Sequence, residues 1–298
     1  MTVYSQISAN KLKTFFIITI FIFLFSGFFY LIGSYFDSGN FYLVLGLLIS
    51  FFSSFFSYFY SDRVVLWLNK AILADKRRFF DFYTVAENLA IAGGTPMPKL
   101  YVIEDNSPNA FATGRDPKHA VICATTGLLD MMDREELEGV ISHELSHVKN
   151  YDILVASVVS VLVGTISVTA DWIIRSMWWG GGRSRDRDEN RSPVMFFLFI
   201  LALILTPIAA TLIQLAVSRK REFLADASGV LATRNPKGLI SALQKLSGYN
   251  HPMLHVASST SHLFINDPMK TKKVSSWFSN LFSTHPPIEE RIKILESM

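Results

Sequence analysis

The sequence predicts an α-helical integral membrane protein that also carries a helix-rich α+β domain outside the bilayer, and two observations support this fold class. Only 18% of the 298 residues are charged and 50% are hydrophobic, whereas soluble domains carry about 25% charged residues. The deficit lies in three nearly uncharged stretches, residues 14–61, 153–170 and 192–218. Outside them the charged fraction returns to about 25%, so we expect soluble sequence interleaved with membrane segments.

The first uncharged stretch is too long for one crossing, because about 20 apolar residues span the hydrocarbon core. A Gly/Ser/Asp/Asn cluster at residues 33–40 divides it and predicts a hairpin of two helices, residues 13–35 and 41–60. The run exceeds the roughly 7–15 apolar residues of a cleavable signal, so we expect an uncleaved anchor. Lysines and arginines flank the hairpin and are absent from its turn, which predicts that both ends face the cytoplasm.

A second hairpin is predicted from residues 153–174 and 192–218, with Asp171 near the end of one arm and Pro207 kinking the other. The loop between the arms is rich in arginine, and its translocation would oppose the positive-inside tendency. Two alternatives stay open: both arms span because the first hairpin sets the topology, or the second hairpin is only partly inserted. Spanning is favoured because both arms are long enough.

About four transmembrane helices in two hairpins therefore divide the chain into four parts. These are residues 1–61 (first hairpin), 62–152 (first part of the outer domain), 153–218 (second hairpin with the Arg-rich loop) and 219–298 (second part of the outer domain).

The outer domain is predicted to be mainly helical, with a small antiparallel sheet. Periodicity indicates an amphipathic helix over residues 79–92, and short β-rich runs over 99–104 and 119–124 are expected to pair as antiparallel strands. Asp133 and Glu136 have the spacing of a capping box, which predicts the start of a helix that runs to Asn150. Further helices are predicted over residues 219–232, 236–246 and 288–296.

The helix that begins at Asp133 contains the sequence His143-Glu144-Leu145-Ser146-His147. Residues four apart lie on the same face of a helix, so both imidazoles can reach one ion while Glu144 lies beside it. A chain of this composition is expected to match this zinc motif by chance on the order of 0.01 times. The pattern is typical of a metal-activated hydrolase.

A catalytic zinc ion usually has three protein ligands and an open position for water. Glu222 is the best candidate for the third ligand. The HELSH helix leads into the second hairpin and the helix of Glu222 follows it. Because both ends of a hairpin emerge on the same face of the membrane, these two helices can lie side by side. A surface salt bridge is the alternative role for Glu222. Asp226, one turn further on, suits the acceptor of a ligand imidazole's far N–H group.

The expected mechanism follows from these residues. Zinc lowers the pKa of a bound water, which becomes the nucleophile, and polarises the scissile carbonyl, while Glu144 acts as the general base. The oxyanion that forms needs a complementary donor. His285 and Arg291 are the candidates for that role.

Four motifs, HELSH, REFLAD, STHPPIEERI and an upstream NAFATG, stand here in the same order as in a known family and are accompanied by paired hydrophobic hairpins. In these features the chain resembles the HtpX-type membrane metalloproteases, relatives of the CAAX prenyl protease, over nearly its whole length. The resemblance implies a zincin-type (gluzincin) catalytic domain and a zinc-dependent metalloendopeptidase. It also implies a multi-pass protein of the bacterial cell inner membrane, with its active site facing the cytoplasm and a part in stress response and quality control of membrane proteins.

The resemblance also implies roles for individual residues. His143, His147 and Glu222 match the ligands of one zinc ion per chain, and Glu144 matches the general base. The other matching positions are Asn109 near the substrate strand, Asp226 after the ligand glutamate, and His285 and Arg291 in the C-terminal elements.

The expected partners are the lipid bilayer and polypeptide substrates, in particular misfolded or unfolded membrane proteins. A substrate is expected to bind as an extended strand against the sheet formed by residues 99–104 and 119–124. A net charge of +3 over the whole chain does not indicate a nucleic-acid binder. The single cysteine, Cys123, excludes an intramolecular disulfide.

Two other functions fit the sequence less well. A non-catalytic, zinc-stabilised membrane scaffold or holdase is disfavoured by Glu144, because a structural zinc site has no use for a general base. A transporter is disfavoured because Asp171 is the only ionisable group in the second hairpin's arms. The remaining histidines, His119, His251, His255 and His262, are predicted to be surface or loop residues, with a cover over the active-site cleft as the alternative for the last three.

Overall fold

A computed structural model describes residues 3–35, 37–180, 209–213, 216, 218–269 and 286–298. Its helices are α1 (Val3–Tyr35), α2 (Gly39–Leu68), α3 (Phe80–Gly93), α4 (Thr126–Met131), α5 (Arg134–Lys149), α6 (Asp152–Gly180), α7 (Arg219–Thr233), α8 (Pro236–Gly248) and α9 (Ile288–Leu295). Its strands are β1 (Ile72–Leu73), β2 (Lys99–Ile103), β3 (Ala110–Thr113) and β4 (Val121–Thr125), and 3₁₀ turns cover Pro117–His119 and Ser258–Leu263. The Arg-rich loop, most of the second hairpin's second arm and His285 lie outside the described residues.

Three described helices are long and apolar enough to cross a membrane: Gln6–Ser34 of α1, Gly39–Leu68 and Asp152–Arg175 of α6. Their outer faces carry large apolar side chains in the open, among them Phe23 at 78% and Phe15 at 64% exposure. Soluble monomers rarely expose contiguous apolar surface on this scale, so lipid covers these faces. The chain is an integral membrane protein, as predicted.

The membrane helices pack closely because α2 turns a row of small residues toward its neighbours. Gly46, Ser50, Ser54 and Ser57 are buried on this face. A Cβ atom added at Gly46 would lie 2.7 Å from the Cβ of Phe29, so the approach of α1 to α2 requires glycine there. Small residues at helix contacts are typical of packing within a bilayer.

The sheet is mixed, in the order β1-β2-β4-β3, and the prediction of an antiparallel sheet was wrong for its central pair. Strands β2 and β4 run parallel, with Lys99 opposite Val121. Parallel strands need a long connection, and the residues between β2 and β4 supply one. That connection contains β3, which takes the antiparallel position beside β4. On the other side β1 pairs antiparallel with β2.

The two faces of the sheet bury alternate residues, as a pleated sheet requires. Even-numbered residues of the strands, including Leu100, Val102 and Ile122, pack in a core with α3 and α5. Odd-numbered residues, including Phe111 and Cys123, pack with the end of α2 and with Phe264. Helix α5, which carries the HELSH sequence, is thus fixed against one face of the sheet.

Helix α5 has the start that the sequence predicts, because Asp133 and Glu136 form the capping box. It ends at a sharp corner. Tyr151, between α5 and α6, has a φ of 61°, a left-handed conformation that residues other than glycine adopt rarely. The corner redirects the chain from the outer domain into the third span, so the end of the HELSH helix lies beside the start of a membrane helix.

Candidate active site

Helix α5 presents both HELSH histidines on one face. Their Nε2 atoms lie 3.2 Å apart, because positions i and i+4 stand one above the other along a helix. The side chain of His143 is 1% exposed and that of His147 is 15% exposed. Both imidazoles therefore point their Nε2 atoms at one small volume at the end of α5.

Helix α7 brings Glu222 to the same volume. Its Oε1 atom lies 3.5 Å from Nε2 of His147, and its Oε2 atom lies 3.9 Å from Nε2 of His143. The close approach of α7 to α5 depends on Gly229, where an added Cβ would meet the Ser142 hydroxyl at 2.9 Å and the backbone nitrogen of His143 at 3.2 Å. A glycine two turns beyond Glu222 thus lets the two helices bring the three side chains together.

The three side chains have the geometry that a divalent metal requires. One ligand atom from each lies within 4.8 Å of the others. Zinc bonds of about 2.0–2.2 Å in a tetrahedron place neighbouring ligand atoms about 3.3 Å apart, close to the separations of 3.2, 3.5 and 3.9 Å observed here. The donor set of two imidazoles and one carboxylate also suits zinc. The cluster could hold a metal ion.

The far nitrogen of His143 faces Asp226, with Nδ1 and Oδ1 2.8 Å apart. Arg291 of α9 holds the same carboxylate from the other side: its Nε donates to Oδ2 at 2.8 Å and its Nη2 to Oδ1 at 2.6 Å. Burial raises the pKa of Asp226, but the hydrogen bonds from Arg291 and His143 outweigh it and lower this pKa to about 2. Asp226 is therefore a carboxylate and accepts the Nδ1 proton of His143, which leaves Nε2 free to bind a metal.

His147 has an equivalent partner in Asp152, the first residue of α6, with Nδ1 and Oδ2 3.0 Å apart. Burial lowers the pKa of His147, but the hydrogen bond to Asp152 and the charges of Glu222, Asp152 and Glu144 outweigh it and raise the pKa to about 9. The pocket thus strongly favours positive charge at this position, which suits a site for a cation.

Glu144 is buried and borders a cavity of about 50 Å³ together with His143, His147 and Glu222. On the other side Ala112 of β3 and Ile265 line the cavity. A carboxylate thus faces the volume on which three metal-binding side chains converge, as a metal-activated hydrolase requires.

Comparison with known proteins identifies the family. The model of Peptidase family M48 matches residues 77–298. The chain belongs to peptidase family M48. A "Protease HtpX homolog" of Streptococcus uberis is 46% identical over 304 residues, covering 99% of each chain. One of Caldanaerobacter subterraneus subsp. tengcongensis is 42% identical over 299 residues, covering 100% of this chain and 98% of that one. A crystal structure of S. mikatae Ste24p also matches, with a TM-score of 0.49 and 18% identity over 99% of this chain and 66% of that one.

Membership of M48 makes the chain a membrane metalloprotease that hydrolyses peptide bonds. The HELSH sequence lies within the matched residues, so the His143, His147 and Glu222 cluster is the candidate metal centre of an M48 peptidase.

Two other predicted site residues lie beside the cavity rather than in it. Asn109 is 1% exposed, and its side chain donates to the carbonyl of Asn266 at 2.8 Å and accepts from the backbone nitrogen of the same residue at 3.2 Å. It therefore fixes the segment that carries Ile265 against β3. Arg291 is fully buried against Asp226 and does not line the cavity.

The remaining histidines fall in different environments. His119 lies in the 3₁₀ turn before β4 rather than in the predicted strand, where its Nδ1 faces Asp116 at 2.8 Å. His251 and His255 are exposed. His262 is 4% exposed and lines the cavity, so the Ser258–Leu263 turn forms part of the cavity wall.

Sequence reasoning missed Asp152, which faces His147, and the two residues that donate to Asp152, Arg221 and Asn10. Arg221 Nη1 donates to Asp152 Oδ1 at 3.1 Å, and Asn10 Nδ2 donates to the same oxygen at 2.8 Å. Asp152 could have been found from its position, since an acid five residues after His147 and at the start of an apolar run is costly in a membrane helix and implies a partner.

Proposed function

We propose that this chain is a zinc endopeptidase that cleaves misfolded or unfolded membrane proteins at the cytoplasmic face of a bacterial inner membrane. The observation that carries the proposal is the convergence of His143, His147 and Glu222 next to Glu144, at the junction between the outer domain and the membrane helices. In this proposal residues 62–152 and 219–298 form one catalytic domain. Residues 1–61 and 153–218 anchor it.

His143, His147 and Glu222 would hold a zinc ion, which would supply the Lewis acidity that activates water and polarises a peptide carbonyl. Glu144 then takes a proton from the attacking water and delivers it to the leaving amine. Its burial in a small cavity keeps bulk water away from this proton transfer. His285 is proposed to assist with the developing oxyanion, because its imidazole is a donor that could complement the negative charge.

Asp226 and Asp152 hold the ligand histidines with the Nδ1 proton directed outward, so that Nε2 remains the metal-binding atom. In this scheme Arg291 acts by positioning Asp226 rather than by binding the oxyanion. Its Nη1 atom, the part of its guanidinium without a hydrogen-bond partner in the described residues, lies 4.0 Å from Glu222 Oε2 and adds positive charge beside that carboxylate.

The substrate is proposed to bind along β3, which replaces the predicted contact with β2 and β4. Both of those strands are paired on each side, whereas β3 is at the edge of the described sheet. The Asn109 carbonyl points toward β4, where it accepts from the Thr125 nitrogen at 2.9 Å. The carbonyl groups of successive residues point to opposite edges of a strand. The backbone carbonyls of Ala110 and Ala112 therefore point away from β4, toward the open edge of the sheet.

Part of this edge is already occupied, since Ile265 donates its backbone N–H to the Ala110 carbonyl at 2.9 Å. A cavity of about 50 Å³ has room for a few waters and not for a peptide. We propose that the segment of residues 258–266 moves away from β3 when a substrate strand binds. Backbone pairing would then give tolerance of many sequences, as clearance of damaged proteins requires.

The test compares the wild-type protein with Glu144→Gln, which preserves size and removes the base. The purified, zinc-loaded proteins are incubated in detergent with an unfolded membrane protein and, separately, with an unfolded soluble protein. We expect cleavage of the membrane protein to fall by about 10²–10⁴-fold in the variant, with the zinc content unchanged. Glu138→Gln is the matched control, because Glu138 lies on the same helix and pairs with Arg134.

Equal cleavage by wild type and Glu144→Gln would overturn the proposed chemistry, and binding of substrate without cleavage would favour the scaffold or holdase. Cleavage of the soluble protein without cleavage of the unfolded membrane protein would overturn the proposed substrate class.

A further inference from the structure

The first membrane helix contributes a side chain to the surroundings of the metal site. Asn10 of α1 is 6% exposed. Its Nδ2 atom donates to Asp152 Oδ1 at 2.8 Å and to the carbonyl of Asn150 at 2.9 Å. Both partners are acceptors that cannot donate, so only this orientation of the Asn10 amide satisfies them. Its two amide protons are thus used at the corner between α5 and α6.

The next residue of α1 contacts the same corner. The Lys11 ammonium lies 4.6 Å from the centre of the Tyr151 ring, a cation–π distance. Tyr151 is the residue with a φ of 61°, and a non-glycine residue in this conformation persists where its surroundings hold it. Asn10 and Lys11 together contact Asn150, Tyr151 and Asp152, so the N-terminal part of α1 holds the turn that places the Asp152 carboxylate.

Asp152 in turn faces the metal ligand. Its Oδ2 accepts from His147 Nδ1 at 3.0 Å, while its Oδ1 accepts from Asn10 and from Arg221. One oxygen of the Asp152 carboxylate therefore binds the ligand His147, and the other binds the side chains from α1 and α7. Rotation of this carboxylate would break the bonds on both sides, so the donors on Oδ1 fix the direction of Oδ2.

We propose that Asn10 is a positioning residue for the metal centre, acting through Asp152 to orient His147, and that the first membrane helix is thereby part of the metal site as well as an anchor. The inference rests on the proposed zinc ligands and is independent of the substrate. It predicts that loss of the Asn10 amide weakens metal binding even though Asn10 contacts no ligand directly.

The test uses Asn10→Leu in the full-length protein, because leucine has a similar size and no donor. The zinc dissociation constant is measured by competition with a chromophoric chelator, and the visible spectrum of the Co²⁺-substituted protein reports the ligand geometry. Replacing partners of metal ligands typically weakens binding about 10–100-fold, and Asn10 is one step further away. We expect a weakening of about tenfold and a changed Co²⁺ spectrum.

Thr14→Val is the matched control. Thr14 is buried one turn further along α1, where its hydroxyl donates to the Asn10 carbonyl at 2.9 Å, and it contacts neither Asp152 nor His147 in the described hydrogen bonds. Its replacement should leave the zinc constant and spectrum unchanged. Asn10→Ser is the second variant in case leucine prevents folding, and we expect it to weaken zinc binding about threefold, below the usual range for a direct partner.

The pathway is tested by combining Asn10→Leu with Asp152→Ala. If Asn10 acts through Asp152, adding Asn10→Leu to the Asp152→Ala protein causes no further loss of zinc affinity. An unchanged zinc constant and Co²⁺ spectrum in folded Asn10→Leu would overturn the proposal, as would an equal loss in both backgrounds. Neither result depends on peptidase activity, so the proposed cleavage reaction is judged separately by Glu144→Gln.

Discussion

The two histidines of the metal centre are held by similar carboxylates that come from different parts of the molecule. The partner of His143 is Asp226, which Arg291 binds through two hydrogen bonds, and these three side chains are at most 1% exposed. The partner of His147 is Asp152, and the side chains of His147 and Asp152 are 15% and 9% exposed. The first group belongs to the outer domain. The second includes Asp152, the first residue of α6, which also accepts a hydrogen bond from Asn10 of α1.

The difference in burial between the two groups should affect the free energy of unfolding more than the affinity for the metal. A fully buried ion pair is costly to break, since removal of one partner leaves a charge without water or a counterion. The Asp152–Arg221 pair is also mostly buried, but its side chains are 9% and 14% exposed, so we expect its loss to cost less stability. Both carboxylates orient an imidazole, however, so both should affect metal affinity. Substitutions on the two sides should therefore differ more in stability than in zinc binding.

Asp226→Ala should have the largest effect. It removes both hydrogen bonds of the buried Arg291 guanidinium and leaves it only the Glu222 carboxylate, 4.0 Å from its Nη1. We expect the free energy of unfolding to fall by about 3–5 kcal/mol, measured by denaturant unfolding in detergent. Asp226→Leu combined with Arg291→Leu should recover most of this stability without restoring zinc affinity, because His143 would still lack its acceptor. Recovery of both properties would show that Asp226 only neutralises Arg291.

Asp152→Ala should have an intermediate effect on stability and a comparable effect on the metal. The Arg221 side chain left behind is 14% exposed, whereas that of Arg291 is 0% exposed. Arg221 is therefore less completely desolvated, and we expect a loss of about 1–2 kcal/mol. The zinc dissociation constant should rise about 10–100-fold, measured by the same chelator competition. A stability loss as large as that of Asp226→Ala would contradict the contrast between the two sides.

The smallest effect is expected away from both histidines, at Glu136. Its side chain accepts from Lys245 Nζ and Ser241 Oγ of α8, each at 2.6 Å. Burial raises the pKa of Glu136, but these hydrogen bonds outweigh it and hold the pKa below its usual value. A lowered carboxyl pKa stabilises the fold above the usual value near 4.3 and ceases to do so as the pH falls through the folded-state pKa.

Glu136→Gln should therefore lower the free energy of unfolding by about 0.5–1 kcal/mol at pH 7, since Lys245 is 40% exposed. The difference from wild type should shrink at pH values below about 4. Zinc affinity at pH 7 should not change. A pH-independent difference would show that shape rather than charge matters at this position.

Local patterns predicted those parts of the site that lie on one helix. The HELSH spacing places two imidazoles on one face of α5, and the Asp133/Glu136 capping box marks its start, because both depend only on helix geometry. Glu222 could also be anticipated, since the chain must return to the same side of the membrane before α7 begins. Its distances from the histidines, 3.5 and 3.9 Å, follow from the close contact at Gly229.

Features that depend on contacts between segments far apart in the sequence could not be predicted. The parallel partnership of β2 and β4 arises because β3 occupies the antiparallel position beside β4, and short strands carry little information about their partners. Asn10 lies 142 positions from Asp152, and a single asparagine near the start of an apolar helix has no pattern that points to a contact.

The corner at Tyr151 joins α5, which is packed against the sheet, to α6, which lies in the membrane. The candidate membrane span of α6 begins at Asp152, and a spanning helix can tilt to match its apolar length to the hydrocarbon thickness of its bilayer. The carboxylate that faces His147 is the first residue of that same rigid rod. A change of bilayer thickness that altered the tilt of α6 would therefore bear directly on the residue that faces His147.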